Sequence, residues 1–186
     1  MSALKTLLLA SGFLGVLNYG TSASANLLTN GDFATGLLSP WSETSCGTCS
    51  YVGFPGDTTN DFGQGFHEGA IGTNGQLFQT FSDIFGEMLT VSFDYQSDGG
   101  NGTAYQDVQL NGGPHLDPVS GVSPFTFHSF VLGTATGNDT LTFNGRNDSN
   151  VNWLSNVVVT EVPEPASLML LSSALLGFGA IRRRRA

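Results

Sequence analysis

The sequence predicts an all-β protein, an antiparallel β-sandwich with a jelly roll as the preferred topology, flanked by an N-terminal signal helix and a C-terminal transmembrane helix. Three observations support this fold class. Apolar and polar residues alternate with a period of two, the alternating runs are short, and turns rich in Gly, Asn and Asp separate them. Because such alternation leaves one face of a sheet apolar, a second sheet has to cover it. We therefore expect residues 26–160 to form one sandwich domain.

The clearest predicted strand covers residues 89–95, in which apolar residues at odd positions alternate with polar residues at even positions. Further strands are predicted at residues 76–81, 105–110, 125–132, 140–144 and 151–160. Turn signals lie between them at residues 97–100, 111–114 and 137–139. Residues 53–72 lack this pattern, and we expect them to form a long loop on the sandwich.

Residues 1–25 have the features of a secretory signal peptide. Lys5 supplies a positive start, residues 7–17 are apolar, and Ala23 and Ala25 enclose Ser24 in a small-residue cleavage site. We expect cleavage before Asn26. The alternative is an uncleaved membrane anchor, for which the apolar run is short.

The other end of the chain, residues 161–186, is predicted to be a membrane-spanning tail. Pro163 and Pro165 stop any helix that precedes them. Residues 166–181 are apolar and uncharged, and four arginines follow at 182–185. A helix of this length spans about 24 Å, so the arginines have to snorkel to cover a core of about 30 Å. Their charge keeps that end in the cytoplasm and places the domain on the far side of the membrane.

The tail also resembles a known sorting signal. From Val162 through Pro163-Glu164-Pro165 to Arg182-Arg183-Arg184-Arg185 it resembles the PEP-CTERM signal of Gram-negative bacteria. The resemblance implies transient anchoring in the inner membrane, processing by the membrane enzyme exosortase, an association with exopolysaccharide, and delivery to the cell surface or extracellular matrix. The alternative is an ordinary single-pass anchor with a chance Pro-Glu-Pro.

The charge of the middle of the chain limits its partners. Of the 15 acidic residues, 13 lie between residues 26 and 160, where Arg146 is the only lysine or arginine. This domain repels phosphate, because proteins bind nucleic acids through Lys and Arg that displace counterions. We therefore exclude nucleic acid as a partner and disfavour anionic lipid, whereas neutral sugars and divalent cations are compatible with the charge.

The domain itself has a second resemblance. Residues 26–33 (Asn-Leu-Leu-Thr-Asn-Gly-Asp-Phe), 77–81, 89–95 and 153–159 are similar to galactose-binding-like and carbohydrate-binding-module-like sandwiches. In such modules a structural Ca²⁺ often joins the first and last strands through two acidic residues. Ala34 and Ser155 occupy those places here, so a calcium site would depend on oxygen from the neighbouring Asp32 and Asn156.

A glycan contact is predicted around the expected long loop. Sugar recognition needs aromatic rings beside amides or carboxylates, and loops on rigid scaffolds often carry binding sites. Trp153 could add aromatic surface. In the alternative interpretation the aromatic residues only attach the loop to the core. The candidate contacts are Trp41, Tyr51, Asp61, Phe62, Gln64, His67 and Glu68.

Catalytic signals are weak. Cys46 and Cys49 are the only cysteines, and after export we expect a disulfide between them, with free or metal-binding thiols and redox chemistry as alternatives. No Gly-x-Ser-x-Gly nucleophile motif occurs. The sequence therefore predicts a non-enzymatic structural or glycan-associating module. The alternatives are an enzyme that acts on matrix polysaccharide and a calcium-dependent adhesive module.

Overall fold

The computed structural model describes residues 25–44, 50–53, 64–98, 104–120, 123–148 and 150–162. These residues contain ten β-strands. No helix within them is long and apolar enough to cross a membrane. The predicted signal peptide up to residue 24 and the tail from residue 163 lie outside the described ranges. The strands are β1 (Ser42–Glu43), β2 (Tyr51–Gly53), β3 (Gly65–Glu68), β4 (Gly75–Ser82), β5 (Met88–Ser97), β6 (Tyr105–Leu110), β7 (Leu116–Ser120), β8 (Ser123–Thr134), β9 (Asn138–Arg146) and β10 (Asn152–Val162).

The strands form two antiparallel sheets of five strands each. Sheet 1 has the order β1-β4-β9-β6-β7, and sheet 2 has the order β2-β3-β10-β5-β8. Alternate residues of each long strand point between the sheets, as the period-two pattern predicted. The all-β sandwich class is therefore confirmed. The fully buried centre includes Phe33, Leu77, Leu89, Val91, Phe93, Tyr95, Val108, Leu141, Phe143, Leu154, Val157 and Val159.

All six predicted strands are present, but the predicted loop at residues 53–72 was wrong in part. It contains β3, which pairs with β2 on one side and β10 on the other. Three of the four β3 residues are buried, so the strand shows little alternation between apolar and polar residues. The strands β1, β2 and β7 are two, three and five residues long, which is too short to give a clear periodic signal.

The first residues of the domain are attached directly to the last strand. Leu27 N donates to Val159 O at 2.9 Å, and Val157 N donates to Gly31 O at 2.8 Å. The Asn26 side chain donates to Val157 O at 3.0 Å and accepts from Val159 N at 2.9 Å. A Cβ at Gly31 would lie 2.0 Å from Val157 O, so only glycine allows this approach.

The long strands define two ends of the sandwich. At the exit end β10 finishes at Val162, paired with Met88 at the start of β5. The turn between β4 and β5 lies at the same end, because residues 83–87 connect Ser82 to Met88. At the far end β10 begins at Asn152, paired with Ser97. The ten residue steps from Asn152 to Val162 along β10 place these ends roughly 30 Å apart.

Candidate functional site

Three aromatic side chains gather on the outer face of sheet 2, near the far end. Tyr51 pairs with His67 across β2 and β3, and His67 pairs with Trp153 across β3 and β10. Cross-strand partners share a face of the sheet. The neighbouring Phe66 and Leu154 point into the core, so alternation turns His67 and Trp153 outward. We call Tyr51, His67 and Trp153 the aromatic platform.

The three rings of the platform contact one another. The rings of Tyr51 and His67 are stacked, with centroids 4.2 Å apart and an interplanar angle of 22°. Trp153 meets both edge-on, with centroids 6.0 Å from Tyr51 and 4.9 Å from His67. Trp153 is only 3% exposed and forms the base, whereas Tyr51 is 51% exposed and forms the surface. Rings that support one another present a rigid apolar surface to a ligand.

Polar groups lie on the same face as the platform. Gln96 pairs with Trp153 across β5 and β10, and its side-chain oxygen is buried without a hydrogen-bond partner. Next along the strands, Asn156 donates from its side chain to Asp94 at 2.8 Å. Because the Gln96 oxygen is buried, the polar atoms that a ligand hydroxyl can reach on this face belong to the exposed Asn156–Asp94 pair. Gln96 was missed from sequence, because only the strand register places it beside Trp153.

The other predicted glycan contacts do not form part of the aromatic platform. Trp41 is a core residue: it packs against Phe33 at 5.7 Å and donates from its indole N–H to Asn30 O at 3.0 Å. As a buried anchor it offers no surface to a sugar, and the prediction for it was wrong. Gln64 lies at the start of β3, where its backbone oxygen accepts from Ser155 Oγ at 2.6 Å. Asp61 and Phe62 lie outside the described residues.

Glu68 was also predicted to contact glycan, and the structure instead turns it into the sandwich. It follows His67 in β3, and alternation places consecutive residues on opposite faces. Its Oε1 accepts from Ala70 N at 3.1 Å, and its Oε2 is buried without a partner. Burial raises the pKa of Glu68 to about 7, against the opposing effect of the Ala70 hydrogen bond. Glu68 is therefore a buried titratable group behind the platform.

The predicted calcium residues do lie together. Asp32 and Asn156 both line a surface cavity of about 310 Å³ beside the start of the domain. The surrounding oxygens are already engaged: Asn26 Oδ1 accepts from two backbone N–H groups, Gly31 O from Val157 N, and Val157 O from Asn26. Ca²⁺ needs six to eight oxygen ligands. Asp32 is the one carboxylate that lines this cavity, and the described residues contain no cluster of three His, Cys, Asp or Glu side chains.

Sheet 1 carries a polar row on its own outer face. Gln76 donates to Asn144 at 2.9 Å, and Asn144 donates to Asp107 at 2.6 Å. The buried Asp107 also contacts His115, whose side chain is largely exposed. Because these groups bind one another, the row braces β4, β9 and β6 more than it offers open partners to a ligand.

The predicted disulfide residues Cys46 and Cys49 lie outside the described ranges, between the end of β1 and the start of β2. Any cross-link between them would therefore lie next in the chain to Tyr51, the exposed member of the platform.

Two comparisons with known proteins agree with this fold and its tail. Residues 161–185 match the PEP-CTERM protein-sorting motif, which indicates an exported protein with a C-terminal membrane-anchored sorting signal. A search of curated proteins gave no match.

Solved structures that resemble the sandwich include two carbohydrate-binding modules. TmCBM61, solved with β-1,4-galactotriose, gives a TM-score of 0.61 at 16% identity, covering 75% of this chain and 100% of the module. The CBM22-1 xylan-binding domain of Paenibacillus barcinonensis Xyn10C gives 0.55 at 12% identity, covering 77% and 100%. The enzymatically active domain of bacteriophage CBA120 tailspike protein 4 gives 0.51 at 20% identity, covering 74% of this chain but 21% of that one. This chain thus carries a PEP-CTERM sorting motif behind a β-sandwich with the fold of carbohydrate-binding modules.

Proposed function

We propose that this protein is a non-enzymatic, exported glycan-associating module, which binds neutral polysaccharide of the cell surface or matrix at the aromatic platform. The observation that carries the proposal is the half-exposed Tyr51 ring, stacked on His67 and supported by Trp153. A sugar ring presents a face of C–H groups, which pack on an aromatic ring, and hydroxyls, which need polar partners. The exposed Asn156–Asp94 pair supplies polar partners on the same face.

The charge of the domain selects the class of polysaccharide. Acidic residues outnumber basic ones by 13 to 1 between residues 26 and 160. The only basic residue, Arg146, is paired with Asp148. A polyanion would be repelled, so the proposed ligand is a neutral glycan. The likeness to TmCBM61 and the CBM22-1 domain supports a carbohydrate ligand in general and does not select the sugar.

A non-catalytic role is supported by the carboxyl groups that approach each other. Asp83 and Asp139 lie close enough for each to shift the pKa of the other, and a pair of carboxyl groups is what glycoside hydrolysis requires. Both also accept backbone N–H groups of the adjoining turn, Asp83 from Gly137 and Asp139 from Thr136. These carboxylates therefore stabilise a turn.

The test is retention of the full-length protein in native gels that contain neutral galactan or xylan. We expect Tyr51→Ala to weaken retention about tenfold, or about 1.4 kcal/mol, which is the usual loss for an exposed aromatic anchor. Phe85→Ala is the matched control, because Phe85 is an exposed aromatic at the opposite end of the sandwich. Alginate should not retain the protein. The glycan role would be refuted if Tyr51→Ala were retained as strongly as the wild type. It would also be refuted if no neutral polysaccharide retained the wild type.

We infer a sorting route from the two ends of the chain. The signal peptide starts export, the apolar segment at residues 166–181 holds the protein in the inner membrane, and exosortase then acts at Pro163-Glu164-Pro165. The match of residues 161–185 to the sorting motif supports this route. Replacing the three residues with alanine should leave an unprocessed protein in the inner membrane. Immunoblotting of cell fractions measures the release. Normal release of that variant would contradict the route.

A further inference from the structure

Exposed apolar side chains collect at the exit end of the sandwich. Phe85 is 81% exposed and Ile84 is 61% exposed, both in the turn between β4 and β5. Met88 and Val162, also exposed, are direct partners across β5 and β10. A patch of large apolar residues at the surface usually marks a contact with a partner or a membrane.

The turn that presents this patch is braced from behind. Ile84 N donates to Glu161 Oε1 at 2.5 Å, and Gly86 N donates to Ala135 O at 3.0 Å. Ala135 N in turn donates to Glu87 O at 2.7 Å. These bonds tie the turn to the end of β10 and to the residues after β8. Ile84 and Phe85 are therefore held outward by a fixed backbone and do not project from a loose loop.

The acidic residues of this end face the turn. Glu161 accepts from Ile84 N, and Asp83 accepts from Gly137 N at 2.6 Å. Burial, together with the neighbouring Asp139 carboxyl group, raises the pKa of Asp83 above its usual range. The patch thus carries apolar side chains outside and acidic groups engaged with the backbone, and the sole basic residue of the domain, Arg146, ends β9 at the far end.

The chain leaves the sandwich at this patch. Val162 is the last residue of β10, and the apolar segment of the sorting tail begins at residue 166. Four residues span at most about 14 Å even when fully extended. The headgroup region on each side of a bilayer is about 5 to 8 Å thick. As long as the tail is anchored, the patch is therefore kept within reach of the lipid interface.

We propose that Ile84, Phe85, Met88 and Val162 form a membrane foot, which rests in the lipid interface of the inner membrane while the sorting tail is in place. This proposal depends on the anchoring step of the proposed function. It has no Lys or Arg to pair with acidic headgroups, so it takes a zwitterionic or neutral surface. Seated in this way, β10 rises from the membrane and holds the aromatic platform roughly 30 Å away from the lipid.

The experiment compares two single tryptophans in the full-length protein, reconstituted in vesicles of phosphatidylcholine and phosphatidylethanolamine. Phe85→Trp reports on the foot. Phe127→Trp is the matched control: Phe127 is 67% exposed on β8 opposite Asp94, six residues or about 20 Å along β5 from Met88. Trp41 and Trp153 are buried and contribute the same background to both variants. Bromine atoms on the acyl chains quench only tryptophans that reach the lipid.

We expect brominated lipids to quench the added emission of Phe85→Trp and to leave that of Phe127→Trp unchanged. Ile84→Trp, a second foot variant, should be quenched as well, and added phosphatidylglycerol should not increase the quenching. Equal quenching of the foot and control variants would overturn the proposal, and so would the absence of quenching in both foot variants.

An alkaline wash of the same vesicles tests the membrane anchor separately from the membrane foot. Protein that washes off has no working anchor, which refutes the anchoring step as well as the foot. Protein that stays bound without quenching at residues 84 and 85 keeps the anchor and refutes the foot alone. If Phe85→Asp also slows tail processing in cells while the vesicles show no quenching, the patch is a docking surface for a protein, and the lipid assignment is wrong.

Discussion

The aromatic platform lies on sheet 2, whereas the membrane foot combines two residues of sheet 2 with Ile84 and Phe85 in the turn between the sheets, and the surroundings of the two regions differ. At the platform, Tyr51 is stacked on His67 and lies on the same face as an unpaired amide oxygen of Gln96. At the foot, Ile84 and Phe85 project from a turn whose nearby carboxylates are bound to backbone N–H groups. An oriented ring with a polar neighbour can select a ligand, whereas a patch of exposed aliphatic and aromatic side chains suits a fluid surface.

One strand, β10, contributes residues to both the aromatic platform and the membrane foot. β10 carries Trp153 near its start and Val162 at its end. Its start lies among aromatic cross-strand neighbours, and its end lies next to the sorting tail. The distance of roughly 30 Å between them would keep a glycan contact and a lipid contact from interfering.

Gly31→Ala should break both regions at once. The new Cβ would lie 2.0 Å from Val157 O, in the middle of β10, and forcing the segments apart should cost about 3 kcal/mol of unfolding free energy. Chemical denaturation of the full-length protein measures this. The control is Asp32→Ala, the next residue, which is exposed and should change stability by less than about 0.5 kcal/mol, with or without calcium. Equal stabilities of the two variants would contradict the role of residues 26–33 in holding β10.

Glu68→Gln should affect the platform end through pH. The pKa of Glu68 is about 7 in the folded protein against 4.5 as its ordinary value. Between these values the folded chain holds a proton that the unfolded chain releases, so wild-type stability falls as pH rises from 4.5 to 7. The total loss is about 3 kcal/mol. The glutamine variant stays neutral, so it should match the wild type near pH 4 and exceed it by about 3 kcal/mol near pH 8.

The measurement for Glu68 is the unfolding free energy of both proteins across that pH range. The matched control is Glu43→Gln, since the Glu43 charge adds only a smaller rise to the pKa of Glu68. Parallel curves for the wild type and Glu68→Gln would mean that Glu68 keeps its ordinary pKa in the folded protein.

Replacing Cys46 and Cys49 together with serine should affect the aromatic platform and leave the membrane foot unchanged. Loss of a disulfide that closes a four-residue loop costs about 2 kcal/mol in the chain-entropy account. Because Tyr51 follows shortly after Cys49, we expect weaker retention on neutral polysaccharide and unchanged quenching of Phe85→Trp in vesicles. Wild-type protein with reductant should behave like the double variant. Identical behaviour of oxidised wild type and double variant would argue against the disulfide.

Much of the fold could be predicted because long strands with one buried face show alternating apolar and polar residues in the sequence. Residues 89–95 alternate strictly, and the corresponding strand β5 is central to sheet 2. The strand β3 escaped prediction because it is buried on both faces, which removes the alternation that identifies a strand. The resemblance of residues 26–33 to carbohydrate-binding modules also agreed with the fold, while Asp32 is the one carboxylate that lines the cavity where the resemblance placed calcium.

The candidate site was only partly predictable, since side-chain direction depends on strand register. Tyr51 and His67 were named from their composition, but Glu68 and Trp41 were named for the same reason and are buried. A shift of one residue moves a side chain from the outer face to the core. The partnership of Gln96 with Trp153 joins residues 57 positions apart, and no local pattern reports such a distance.

The sequence alone determined the acidic all-β domain and the sorting tail and predicted the signal peptide, because charge, hydrophobic length and period-two alternation are local properties of a chain. Only the tertiary structure decided which apolar residues are core and which are surface. It separated Trp41 from Tyr51, turned Glu68 inward, and brought Ile84 and Phe85 to the end of the sandwich where the tail leaves. These assignments follow from pairing between strands far apart in the chain, and such pairing exists only once the two sheets have formed.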